Sequence, residues 1–190
     1  MTKKKLGKGL GELHLKSAES NPTMFGFPVE GFIGTPAQKK GMEANWIDCF
    51  LNLRIIPQLS ILKSKTLDKE IINKINEKIK LELLNHKPIN ALVHGDLWSG
   101  NVGTNKSGKG VIFDPASWWA DNEVDIAMTK LFGGFRKEFY EEYHKIFPLK
   151  EGFEKRTIIY NFYHILNHAN MFGGGYLKQV KDYVKTILNK

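Results

Sequence analysis

The residues best suited to chemistry in this 190-residue chain lie between His94 and Asp125. His94, Gly95 and Asp96 follow an apolar run at 90–93, Asn101 stands five positions after Asp96, and Asp114 comes thirteen later, behind Val111, Ile112 and Phe113. Phosphoryl transfer is mostly positioning and charge neutralisation. It needs one carboxylate to accept the proton of an attacking hydroxyl and hard oxygen donors for Mg²⁺. A loop end and the return arm of a hairpin can aim three such groups at one point. The spacing therefore assigns Asp96 as base, Asn101 and Asp114 as Mg²⁺ ligands, and ATP with Mg²⁺ as the cofactors. His94, two before the base, braces the loop through its ring nitrogens. Taken singly, each element is ordinary turn or cap chemistry. What selects the reaction is all three together, each behind an apolar strand.

The elements that must position these groups follow from the periodicity. A short helix is predicted over 6–17, then a loop over 20–41 rich in Pro and Gly and packed down by Phe25, Phe27, Phe32 and Ile33. Helical spacing recurs over 42–62 and 67–85. Between 90 and 113 the period changes to three short strands, the last two joined by the polar turn TNKSGKG into a β-hairpin. Helices return at 122–132, 135–147, 151–170 and 174–189, broken by Gly133, Gly134 and Gly173–Gly175. The aromatics around these breaks read as seals of interhelical turns. The expected fold class is mainly α with a small β-hairpin (α+β). Glu123 and Asp125 open a helix, where negative charge complements the macrodipole. In the phosphoryl-transfer reading Asp125 also accepts backbone N–H groups of the catalytic loop, and Glu123 faces substrate or that loop.

Composition removes other classes. Hydrophobic residues are 42% and charged residues 25%, the balance of one folded domain rather than a disordered or fibrous chain. The net charge of +8 invites a nucleic-acid reading, but only Arg54, Arg136 and Arg156 are arginines, and forks onto bases and phosphates favour arginine. Residues 1–90 carry 15 basic and 9 acidic side chains and the remainder 13 and 11, so the lysines read as a solvated surface with no nucleic-acid partner. A lone Cys49 in an apolar stretch excludes a disulfide framework and points to the reducing cytoplasm. No run approaches bilayer length, so no membrane partner is expected. The GKGLG run at 7–11 reads as a helix start or flexible terminus rather than a nucleotide loop, since Glu12 occupies the position that a kinase loop gives to glycine. His164 and His168 are four apart on a helix and read as packing or capping rather than metal ligands.

Against protein kinases, Gly95 replaces an arginine and Asp114-Pro115-Ala116 replaces Asp-Phe-Gly, which describes a small-molecule kinase without activation-loop control. The runs HGDLWSGNV (94–102), FDPAS (113–117), EVDIAM (123–128), LFGGF (131–135) and YHILN (163–167) resemble the fructosamine kinase, or ketosamine-3-kinase, family. This family belongs to the aminoglycoside phosphotransferase and choline kinase branch. LGELHL (10–15) and FGFPVEGFIG (25–34) resemble the start of that family's C-terminal lobe. The resemblance implies ATP-dependent phosphorylation of the 3-hydroxyl of a ketosamine, free or carried on a glycated protein lysine, leading to deglycation. It also gives Trp98 a role, its indole stacking on the sugar carbons, beside the plainer one of anchoring the loop. Trp118 and Trp119 depart from the family's tyrosine-rich pair.

The resemblance further implies that residues 1–190 form the C-terminal catalytic and substrate-binding lobe, with no N-terminal ATP lobe before Leu6. The chain alone is then expected to be weakly active, with a separate N-terminal lobe or a homodimer as possible partners. Two other readings compete. One is a metal-dependent hydrolase with His94, Asp96 and Asp114 as ligands, which leaves Asn101 unexplained. The other is a non-catalytic kinase-like binding module.

Overall fold

The computed structural model describes residues 2–62 and 67–189. Helix α1 (Thr2–Glu19) is followed by four short strands, β1 (Phe25–Phe27), β2 (Gly31–Phe32), β3 (Ala37–Gln38) and β4 (Gly41–Glu43). Next come α2 (Trp46–Phe50), a π-helical turn (Leu51–Ile55), α3 (Ile56–Ile61) and α4 (Lys69–Leu83). The next segment brings β5 (Asn90–Val93), a 3₁₀ turn (Ser99–Asn101), β6 (Val102–Thr104), β7 (Gly110–Ile112) and β8 (Trp118–Asp121). Helices α5 (Glu123–Leu131), α6 (Lys137–Ile146), α7 (Phe153–Phe172) and α8 (Gly175–Leu188) complete the chain.

The helices match the sequence reading closely, and the sheet does not. Beyond the expected hairpin of β6 and β7 there is a four-stranded antiparallel sheet in the order β4-β1-β8-β5. The stretch read as a loop over 20–41 supplies β1, and the helix expected from Met42 begins only at Trp46 because Gly41–Glu43 pairs with β1. Asn45 marks that start, its Oδ1 accepting the N–H of Ile47 and Asp48. Strand β8 was not anticipated. Two adjacent tryptophans and an alanine carry no clear alternation, and pairing with β5 on one side and β1 on the other fixes them as a strand. Trp118 is fully buried and stacks on Trp46, so it faces the core rather than a substrate.

Pro57 sits inside a helix because the π turn before it relaxes the crowding against the carbonyl four residues back. That carbonyl, Leu53 O, instead accepts from Arg54 Nη1 at 2.8 Å. The turn also swings Arg54 inward, its guanidinium 4.0 Å from the centre of the Trp118 ring.

The GKGLG run lies within α1, neither at its start nor in a flexible terminus. A Cβ at Gly7 would stand 2.1 Å from Phe139 O, and one at Gly11 would crowd Ile146, so these glycines let α1 pack directly on the backbone of α6. Helix α7 runs through the core. It is buried on nearly every face, from Ile159 to Asn167 without a break, and packs against α5 and α8. Among the described residues no helix is long and apolar enough to cross a membrane.

Candidate active site

Strand β5 delivers the chain into a loop at His94. Gly95 has φ +82°, and a Cβ there would meet Ala116 O at 2.1 Å. Only glycine lets this loop lie against the segment after β7, where Ala116 N–H donates to His94 O at 2.9 Å. Leu97 is fully buried and anchors the loop, leaving Asp96 half-buried at the surface.

Asn101 is buried at the end of the 3₁₀ turn. Its Nδ2 donates to Asp96 O at 2.9 Å and to Asp96 Oδ2 at 3.1 Å. Both donors engage the same residue, so the amide is held with its oxygen turned away from Asp96. Its backbone carbonyl accepts Phe113 N–H at 3.1 Å, closing the hairpin beside the loop. Asp114 follows at φ +56°, the left-handed region that few residues besides Gly, Asn and Asp accept, with its side chain exposed.

His94 ties the two arms together. Its Nδ1 accepts Asp96 N–H at 3.3 Å and its Nε2 donates to Phe113 O at 3.0 Å. Both ring nitrogens are thereby committed to backbone, leaving no lone pair for a metal, which removes His94 from the ligand set of the hydrolase reading.

Asp125, fully buried on α5, accepts His94 N–H at 2.7 Å and Gly95 N–H at 2.8 Å. His14 of α1 donates to it from Nε2 at 3.2 Å, and Tyr143 and Asn122 extend the chain of hydrogen bonds. Burial alone would raise the pKa of Asp125. The hydrogen bond from His14, the charges of His14 and His94 and the Gly95 N–H outweigh it, and the net shift is downward.

At Asp96 the balance is reversed. Burial raises its pKa, while His168, His94 and the Asn101 hydrogen bond pull it down and Asp114 pushes it up, for a net rise. His168, read from the sequence as packing or capping, does pack, but toward the 94–101 loop. Its ring packs on Phe132 at 5.0 Å between centroids, and Phe132 meets Trp98 edge-on at 6.0 Å. The 94–101 loop is far from α7 in sequence, so no local spacing signals this proximity. His164, by contrast, is fully buried with neither ring nitrogen hydrogen-bonded, and burial pushes its pKa down to about 3.

Glu123 does not join the group. Arg156 grips it through Nε at 2.6 Å and Nη2 at 2.7 Å. It neighbours His86 and Asp121 at the Asn90–Asp121 end of the β5–β8 pair, opposite the end that carries His94. The expectation that Glu123 faces substrate or the catalytic loop is therefore corrected: its carboxylate is consumed by an internal ion pair. Trp98 is 37% exposed, its ring folded over Gly100 on the same loop as Asp96 rather than inside the core.

A carboxylate on a loop after a strand, an asparagine five residues on and an aspartate on the return arm of a hairpin are all set against a helical body, and the whole has a kinase-like fold. The same fold is found in the choline kinase LicA of Streptococcus pneumoniae, with a TM-score of 0.63 at 14% identity over all of this chain and 64% of that one. The chain belongs to the fructosamine kinase family, whose model matches residues 1–190. A relative from Vibrio vulnificus described as a probable ketoamine kinase is 43% identical over 185 residues, 97% of this chain and 63% of that one. A crystal structure assigned as a fructosamine-3-kinase from Haemophilus somnus superposes with a TM-score of 0.89 at 28% identity, over 98% of this chain and 63% of the other. The chain thus spans about 63% of the length of the curated relative and of this structure.

Proposed function

We propose that this chain is the catalytic and acceptor-binding lobe of an ATP-dependent ketosamine kinase, transferring the γ-phosphoryl group of ATP to the 3-hydroxyl of a ketosamine. The acceptor is a free ketosamine or one carried on a glycated protein lysine, in the reducing cytoplasm. The observation that carries the reading is the hydrogen bond from Asn101 to Asp96, with Asp114 on an arm that His94 fastens to the same loop.

In this reading Asp96 takes the proton of the attacking hydroxyl. Its raised pKa suits a group that must hold a proton once it has accepted one. The outward oxygen of Asn101 and the carboxylate of Asp114 would hold Mg²⁺. An amide oxygen and a carboxylate are hard donors that fit this ion, which when bound neutralises charge on the phosphates. Asp125 and His94 hold the loop, and Trp98 offers an indole face to the sugar carbons. A glycine-rich hairpin with a strand lysine, the usual cradle for ATP phosphates, is absent among the described residues. The reading assigns that task to an N-terminal lobe, on this polypeptide or another, and expects the 190-residue chain alone to turn over slowly.

The test is phosphorylation of a fructosyl-lysine derivative by excess protein with Mg²⁺ and ATP, followed by phosphorus NMR. Wild type should form the 3-phosphate, and Asp96→Asn should lose at least about a hundredfold in rate with an unchanged circular dichroism spectrum. Full turnover by Asp96→Asn would overturn the base assignment. Binding of ketosamine without any affinity for Mg²⁺ and ATP would favour the non-catalytic binding module instead.

A further inference from the structure

The break between α7 and α8 leaves an aromatic row beside the catalytic carboxylate that the phosphoryl-transfer groups do not use. Gly173 and Gly174 have φ +61° and +53° with ψ near −138° and −126°, a combination open essentially to glycine. They turn the chain so tightly that Phe172 and Tyr176 both face His168. The ring centroids are 5.7 Å apart for His168 and Phe172, 5.0 Å for His168 and Tyr176, and 6.0 Å for Phe172 and Tyr176. Phe132 continues the row from His168 to Trp98. The two ends are open to solvent, Trp98 at 37% and Phe172 at 62% exposure.

The imidazole in this row is held in a fixed orientation. His168 Nδ1 donates to His164 O at 2.8 Å, one turn back along α7. In the neutral ring Nε2 is therefore a lone pair, an acceptor. Aromatic faces around a hydrogen-bond acceptor describe a site for an organic cation that carries an N–H. The carboxylate of Asp96 belongs to the same loop as Trp98, whose backbone N–H donates to Asp96 O at 3.2 Å.

Resting on the ketosamine reading, we propose that His168, Phe172 and Tyr176, with Phe132 and Trp98, form the subsite for the protonated amine of the acceptor. A ketosamine carries a secondary amine that is an ammonium at neutral pH, next to the sugar whose hydroxyl is phosphorylated. With the hydroxyl at Asp96 and the sugar on Trp98, the ammonium falls along the row toward α8, and its alkyl or lysyl arm leaves past exposed Phe172. The subsite distinguishes ketosamines from ordinary ketoses by charge.

The experiment compares N-butyl-fructosamine with its neutral ether isostere, 1-O-butyl-fructose, by titration calorimetry. Wild type should bind the amine roughly tenfold or more tightly. In the double variant Phe172→Leu, Tyr176→Leu the two affinities should converge, with folding monitored by circular dichroism. Equal binding of both ligands by wild type, or an undiminished preference in the double variant, would overturn the subsite. N-Methylbutylammonium, which has the N–H and the positive charge but no sugar, separates the two readings. It should shift the Trp98 indole signal in NMR, identified by its loss in Trp98→Phe. That shift with no binding of either sugar would leave the cation subsite standing and overturn the ketosamine assignment, while no shift would overturn the subsite.

Discussion

Asp125 and Gly95 are thirty residues apart, yet the carboxylate Oδ1 of one accepts the backbone N–H of the other at 2.8 Å in the interior of the protein. Oδ2 does the same for His94 at 2.7 Å. A single buried side chain thus takes up the first two N–H groups of a loop whose glycine conformation leaves them no regular partner. Asp125→Ala should strand both N–H groups and lower stability by about 2–5 kcal/mol in urea denaturation, with faster amide exchange at His94 and Gly95. Asp125→Asn, which keeps one acceptor oxygen, should lose less.

The same carboxylate makes the loop sensitive to acid. Its folded pKa lies below the ordinary 3.8, so the stability it contributes is fully present above that value and is lost as the pH falls through the lower folded value. The stability difference between wild type and Asp125→Asn should hold constant near neutral pH and shrink between about pH 5 and pH 2. Denaturation midpoints measured across that range provide the check.

Asp114, the proposed Mg²⁺ ligand, has an unfavourable backbone. At φ +56° an alanine is strained by about 1 kcal/mol relative to glycine, the reverse of the order in a helix. Asp114→Gly should therefore be the more stable of the two variants by roughly that amount in thermal or urea unfolding. Both should lose phosphoryl transfer, since neither retains an oxygen donor. Equal stability of the two would contradict the strained conformation.

Two neighbouring glycines of α1 should respond in opposite directions. Gly9 has open space where a Cβ would stand, so Gly9→Ala should raise stability by up to about 1 kcal/mol through helix propensity. Gly7→Ala would drive a methyl into Phe139 O and should cost about 2 kcal/mol or more, because α1 must retreat from α6. Thermal melts of the two variants side by side test the packing.

Much of this protein could be read before its tertiary structure was known. Helices α4, α6 and α8 were legible because each carries an apolar stripe of helical period, with Asp68 capping the start of α4, and α5 and α7 because glycines follow their ends. The spacing of Asp96, Asn101 and Asp114 was legible because loop, turn and hairpin are local, and local geometry follows from residue types such as Gly95 and TNKSGKG. The four-stranded sheet was not, because β1, β4 and β8 are three or four residues long and owe their conformation to partners far along the chain.

The side chains around the 94–101 loop divide along the same line. The sequence by itself determined which atoms can take a proton or hold Mg²⁺, since those properties belong to residue type and short spacing. Only the tertiary structure decided that Glu123 is spent on Arg156, that His14 stands behind Asp125, and that His168 packs on Phe132, which in turn meets Trp98. Each of these depends on how α1, α5 and α7 pack, and packing is settled by long-range burial that leaves no periodic trace in the chain.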